Sequence, residues 1–243
     1  MGKSKRLRKG QQLSFEKVGG WGGRRKGAGR PNRSGLVHHM RRPAIDVRYP
    51  LHITWRLKEI SVDLRDEKYL AAFKEAAERS KAKGLRVIHY ALESNHIHMI
   101  VEADTNKKLA DGMRSLGGRL GKRIRKISNE YRRKPVTGSV FAGRYHVHVL
   151  TDPTETKNAI EYVLLNRSKH MKFVEHIDIY SSGYYFRDWK KLLGKRYQHI
   201  LRKQFEESDD PGTNIALSAP VSWLARIGWQ RAVGWQRAVG RPA

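Results

Sequence analysis

Polar and apolar residues alternate over residues 51–57, "LHITWRL", and the β-branched centre of that stretch adds to the case for a strand. The period then changes. Leu70, Phe73 and Ala77 recur at three and four residues, which predicts a helix over 66–83 that Gly84 stops. Two more strands are read at 85–94, "LRVIHYALES", and 96–103, "HIHMIVEA", close enough to form a hairpin or one broken strand. Residues 107–131 carry the most regular pattern. Leu109, Met113, Leu116, Leu120, Ile124, Ile127 and Tyr131 form one continuous apolar stripe of a long helix. Gly112, Gly117, Gly118 and Gly121 interrupt it at about 1 kcal/mol each relative to Ala. Their density implies a close backbone approach, to another element or to a phosphate. A fourth strand is expected at 140–150, "VFAGRYHVHVL". "TDPTET" then opens another helix, with Asp152 as N-cap, Pro153 in the first helical position and Glu155 completing a capping-box pattern. That helix is expected to run to about His170.

The order is β-α-β-β-α-β with one further helix. It predicts an α+β, ferredoxin-like antiparallel sheet with helices on one face and the other face open to ligands. Three regions follow: a basic, Gly-rich arm over 1–47, the ferredoxin-like domain over 48–175 and an extension over 176–243. The arm and part of the extension are read as disordered tails. The extension repeats "WQRAVG" at 229–234 and 235–240. Six residues match neither one helical turn nor two, so the repeat reads as a recent duplication with little structural meaning.

Charge changes the picture. The 243-residue chain holds 50 Lys+Arg against 23 Asp+Glu, a net +27. Residues 1–48 hold fourteen of the cations and two acids, and residues 113–134 hold nine and one. Such an excess marks a protein that works on a polyanion, nucleic acid first. There is no cysteine, which excludes disulfides and thiolate metal sites. No apolar run approaches the roughly 18 residues of a membrane helix, and the opening "MGKSKRLRKG" is basic but lacks the apolar stretch expected of a secretory signal. The expected setting is the cytoplasm, without a membrane partner.

The chemistry centres on "NHIHMIV", 95–101. Period two puts Ile97, Met99 and Val101 on the helix-covered face of the third strand, and His96, His98, Ile100 and Glu102 on the other. Two neutral imidazoles there can chelate one divalent cation. On spacing alone, two ordinary half-exposed histidines are the commoner outcome. The capped helix adds Tyr162 and Asn166, four apart and on one helical face. A phenol is unreactive at its usual pKa of about 10, so it attacks phosphorus only beside a polarising cation. Together these parts suggest a metal-assisted phosphoryl transferase acting on nucleic acid. "RYHVHVL" supplies a second pair, His146 and His148, as the alternative metal ligands.

"ESNHIHMIV" resembles the His-hydrophobic-His signature of the single-tyrosine transposases of insertion sequences, and "YVLLN" resembles their catalytic-helix motif. "GGRRKGAGRP", "PLHITWRL", "VFAGRYH" and "DIYSSGYYFRDW" are similar to the branch called REP-associated tyrosine transposases. The resemblance runs from about Trp21 to about Trp229 and implies specific roles. His96, His98 and Asn166 become metal ligands, with Mg²⁺ or Mn²⁺ as the cofactor. Tyr162 becomes the nucleophile of a single-stranded DNA endonuclease and strand transferase that forms a 5′-phosphotyrosine at hairpin-flanked sites. Among the pairs, His96 and His98 fit the family signature better than His146 and His148. The partner is then single-stranded DNA with hairpins, on a bacterial nucleoid, for a monomer or homodimer.

Candidate DNA contacts are Arg30 of the arm, Arg114, Arg119, Lys122 and Arg123 of the long helix, and Arg144, Tyr145 and His146 of the "RYH" segment. "RRKGAGRP" resembles an AT-hook whose first core arginine is replaced by Ala28, so general phosphate binding is the expected role. Two readings stand beside the transposase: a non-catalytic single-stranded nucleic-acid-binding module with an RRM-like sheet, and a domesticated transposase that serves its host.

Overall fold

The computed structural model describes residues 44–58, 62–130, 133–166, 177–194 and 214–232. The chain divides into units 1–41 and 42–243, and the described residues all lie in the second. The body of the N-terminal arm with Arg30, the expected helix end near His170 and the second "WQRAVG" copy lie outside them.

Four strands form one sheet: β1 (Leu51–Arg56), β2 (Arg86–Leu92), β3 (His96–Glu102) and β4 (His146–Val149), in the order β2-β3-β1-β4. All the pairings are antiparallel. Helix α1 (Glu67–Lys81) follows β1 and α2 (Asn106–Glu130) follows β3. This is the expected α+β arrangement. Asp66 caps α1 by accepting from Lys68 N, and Gly84 turns the chain after it at φ +84°. Both ends fall within about two residues of the periodicity reading.

Register sorts the side chains. Leu51, Ile53 and Trp55 of β1 face Val101, Met99 and Ile97 of β3, all on the face that α1 and α2 cover. The glycines of α2 serve that contact. A Cβ on Gly112 would stand 2.4 Å from Leu85 Cβ, and one on Gly117 would stand 2.1 Å from Trp55 Cη2. Gly118 meets nothing and faces outward. Of the two expected reasons for the glycines, close approach to the sheet holds at two positions.

The expected fourth strand shrinks from eleven residues to four. Phe141 forms only an isolated bridge to Leu57, and its ring stacks on Trp55 at 3.9 Å. The Trp55 indole N–H donates to Gly143 O at 3.1 Å, so that carbonyl is taken by a side chain rather than a strand partner. The ladder resumes at His146.

The second face is less open than expected. Helix α3 (Pro153–Leu164) lays Ile160, Val163 and Leu164 over Ile88, Ala91 and Ile100. Behind it lie α4 (Trp189–Leu193), α5 (Trp223–Arg226) and 3-10 turns at Ser182–Tyr185 and Gly228–Arg231. Trp189 and Trp229 are buried in this second core, each a side chain whose burial is worth roughly 3 kcal/mol. Trp229 opens the first "WQRAVG" copy, which therefore has a structural role that the repeat length did not suggest. A bulge in β2 feeds the same core: Val87 pairs with Val101 and His89 with Ile100, so Ile88 is the extra residue and turns toward α3.

Gly117→Ala should lower stability by about 2 kcal/mol or more, because a rigid indole fills the space its methyl needs. Gly118→Ala should raise it by roughly 0.5–1 kcal/mol, because it removes only helix-disfavouring freedom. Urea denaturation of both variants checks the contrast.

Candidate active site

The site forms where α3 crosses the end of the β2–β3 hairpin. Asp152 caps α3 by accepting from Glu155 N at 2.8 Å, and Pro153 occupies the first turn, as expected. Glu155 reaches one residue further back than a capping box requires and accepts from Thr151 N at 2.7 Å. The helix so fixed carries Tyr162 and, just past its end, Asn166.

Tyr162 Oη lies 3.5 Å from His98 Nε2, and the two rings meet edge to face at 5.0 Å. His96 stands beside His98, with ring centroids 4.7 Å apart. Asn95 Oδ1 accepts from His96 Nδ1 at 2.8 Å, which leaves Nε2 as the His96 nitrogen with the lone pair. His98 Nδ1 lies 3.1 Å from Thr54 Oγ1 and 3.3 Å from His52 Nε2. Donation from Nδ1 to either partner leaves the His98 Nε2 lone pair toward Tyr162, the arrangement found in metal-ligating histidines. Asn166 is buried. Its Nδ2 donates to Glu93 Oε1 at 2.8 Å, while its Oδ1 meets no donor among the described residues.

The electrostatics suit ligation. Burial, with His96 and His52 adding to it, pushes the His98 imidazole down to about 3. Burial, then His148 and His146, pushes His52 down to about 4. Both rings are therefore neutral over the ordinary pH range. Burial, and then the Glu93 carboxylate, holds the Tyr162 phenol above its usual pKa. Among the described residues no three His, Asp or Glu side chains form a metal cluster. The amide oxygen of Asn166 is a further donor that could join His96 and His98 in holding a cation. Two imidazoles and one buried, unsatisfied amide oxygen fit a borderline divalent ion such as Mn²⁺.

The structure separates the other candidates. His146 and His148 lie on β4, across β1 from His98, paired with Thr54 and His52. His148 Nε2 is bonded to Glu155, whereas Tyr162 sits against His98. Tyr145 points to the opposite face, edge-on to Trp55 at 5.5 Å. Arg144 is exposed beside it. Arg114, Arg119, Lys122 and Arg123 are exposed on α2, on the far side of the sheet from His98. Arg114 pairs with Asp111 at 2.8 Å and Arg123 with Glu75 at 3.5 Å.

Four residues that the sequence reading passed over join the site: His52, Thr54, Arg56 and Glu93. Arg56, exposed, is register partner to His96 and the nearest strand cation to it in the pairing. The signal for the first three was the polar phase of "LHITWRL", which the pairing of β1 with β3 converts into neighbours of the histidine pair.

Residues 47–166 match the family described as "Transposase IS200 like". Among solved structures, the chain is similar to a REP-associated tyrosine transposase bound to a REP hairpin, at 13% identity and TM-score 0.47, over 60% of this chain and 82% of that one. It is also similar to a proposed transposase from Deinococcus radiodurans R1, at 14% identity and TM-score 0.35, over 51% and 85% of the two chains. No curated protein matches it. No described helix is long and apolar enough to cross a membrane.

His52, His98 and His89, whose Nδ1 is buried and which burial also pushes down to about 4, stay neutral where the unfolded chain takes up protons near pH 6.5. Stability should therefore be full above pH 6.5 and fall as pH drops toward 4, by on the order of 1 kcal/mol per histidine. Urea denaturation at pH 7.5 and 4.5 measures the loss, and His89→Leu should reduce it.

Proposed function

The chain belongs, over residues 47–166, to the family of IS200-like transposases, and from that premise we propose that it is a metal-dependent endonuclease and strand transferase for single-stranded DNA. Tyr162 Oη is the nucleophile. It attacks a phosphodiester phosphorus, so an O–P bond to tyrosine forms and the P–O3′ bond breaks. The phenolic proton is lost, and the departing 3′ oxygen takes one up. The products are a 5′-phosphotyrosine and a 3′-hydroxyl end. Because the phosphoester is conserved, a 3′-hydroxyl of another strand can reverse the step and join the ends without ATP.

His96, His98 and Asn166 are the residues that hold Mg²⁺ or Mn²⁺ in this reading, and the ion supplies Lewis-acid polarisation of the scissile phosphate. The carrying observation is Tyr162 Oη at 3.5 Å from His98 Nε2; Asn166, one helical turn on from Tyr162, adds a buried Oδ1 without a donor among the described residues. The raised phenol pKa fits the same reading, since the hydroxyl stays inert until positive charge offsets its buried setting. Exposed Arg56, register partner of His96, provides a phosphate contact near the histidine face, and exposed Arg144 and the basic face of α2 provide separate ones. Family resemblance makes hairpin-bearing single strands the substrate class. An RRM-like binding module is less well supported, because β1 and β3 present His52, Thr54, His96 and His98 where such a sheet presents stacking aromatics.

Tyr162→Phe should abolish the covalent protein–DNA adduct on a labelled hairpin-bearing single strand while hairpin affinity changes less than about threefold. An adduct that survives this change means that the nucleophile is another residue.

His96→Ala and His98→Ala should each cut Mn²⁺-dependent cleavage by at least about 100-fold. His148→Ala, whose ring is engaged by Glu155, should cost far less. Rates across a Mn²⁺ titration compare the three variants, and equal losses would transfer the ligand role to β4.

A further inference from the structure

Glu93 ends the β2 side of the hairpin, where its N–H donates to His96 O at 2.9 Å. Its side chain is only 7% exposed. An acid so placed, joined by its backbone to His96 and by its side chain to Asn166, requires a reason. Its partner supplies one. The Asn166 amide meets the Glu93 carboxyl through its NH₂: Glu93 Oε1 accepts from Asn166 Nδ2 at 2.8 Å. The opposite end of the amide, Oδ1, is thereby fixed, buried and without a donor among the described residues. An amide has two ends of similar shape and opposite polarity. Only one of them can bind a cation.

We infer that Glu93 is a positioning residue that fixes the polarity of the Asn166 amide, so that its oxygen and not its NH₂ is presented to the metal. The inference rests on the metal site proposed above. Glu93 acts here as an outer-shell partner, of the kind whose loss typically lowers metal affinity 10–100-fold. It also spares Asn166 from a choice: in the absence of the acid, the buried amide would satisfy whichever end found a partner first.

The test is a two-by-two set in the full chain: wild type, Glu93→Gln, Asn166→Asp and the double variant. Mn²⁺ affinity is read by calorimetry and folding by thermal melting. On the wild-type background, Glu93→Gln should weaken Mn²⁺ about 10-fold, because glutamine accepts either end of the amide. On the Asn166→Asp background, the same change should strengthen binding. There the introduced glutamine can donate to one oxygen of the introduced aspartate, where Glu93 repels it. That reversal of sign is specific to the hydrogen bond. Weakening on both backgrounds would mean that Glu93 acts by charge or as a ligand itself, and would overturn the inference. So would no effect on either. A wild-type measurement needs no variant: the Asn166 side-chain carbonyl ¹³C resonance should move on Mg²⁺ titration, and an unmoved signal overturns the inference. Absence of Mn²⁺ binding in the folded wild type overturns the metal site, and is thereby distinguished from failure of Glu93 alone.

Discussion

Strand β3 is buried on both faces, and much of the molecule follows from that constraint. On one face Ile97, Met99 and Val101 sit in the core that α1 and α2 close. On the other, His98, Ile100 and Glu102 are nearly inaccessible. A polar group so enclosed must be partnered, since an unmet one costs roughly 1–3 kcal/mol. Glu102 is met by the N–H groups of Val221 and Ser222 and by the Ser222 hydroxyl, which ties the C-terminal segment to the sheet. His98 is met by Thr54 and His52 from β1 and by Tyr162 from α3. The contacts that satisfy the strand are the same ones that assemble the site.

Helix α3, which carries Tyr162, is held from several sides. Its start is capped by Asp152, and its apolar side is packed on β2 and β3. Its outer side is backed by Trp229, and by Trp189, whose indole N–H donates to Gly183 O at 3.2 Å. Arg65 adds a brace nearby: it pairs with Asp178 through two bonds of 2.6 and 2.8 Å and donates to Leu92 O. Such rigidity suits the role proposed for Tyr162, since an attacking oxygen displaced by an ångström loses much of its advantage.

The strand and helix order was legible because each element carries its own period, and α1, α2, β1 and β3 fall close to their expected bounds. Failures occurred where a distant group decides. Nothing local in "VFAGRYH" says that the Trp55 indole will take Gly143 O and break the ladder. Nothing in a six-residue repeat says that its first tryptophan will enter a core built by a helix far earlier in the chain. Within the candidate site, His96, His98, Tyr162 and Asn166 stand out in the sequence as paired motifs, and the structure brings Tyr162 to the histidine pair. Their supporters, His52, Thr54 and Glu93, are single polar residues whose meaning comes only from the register that places them. The α2 cations were legible as charge, but the face they occupy was not.

The bulge at Ile88 bears on chain length. Val87 and His89 already oppose neighbouring residues of β3. Removing Ile88 would therefore leave a regular ladder, with Glu93 still opposite His96 and only one side chain gone from the second core. Position 88 is thus a point where the chain can lose a residue without disturbing the register that sets the histidine face.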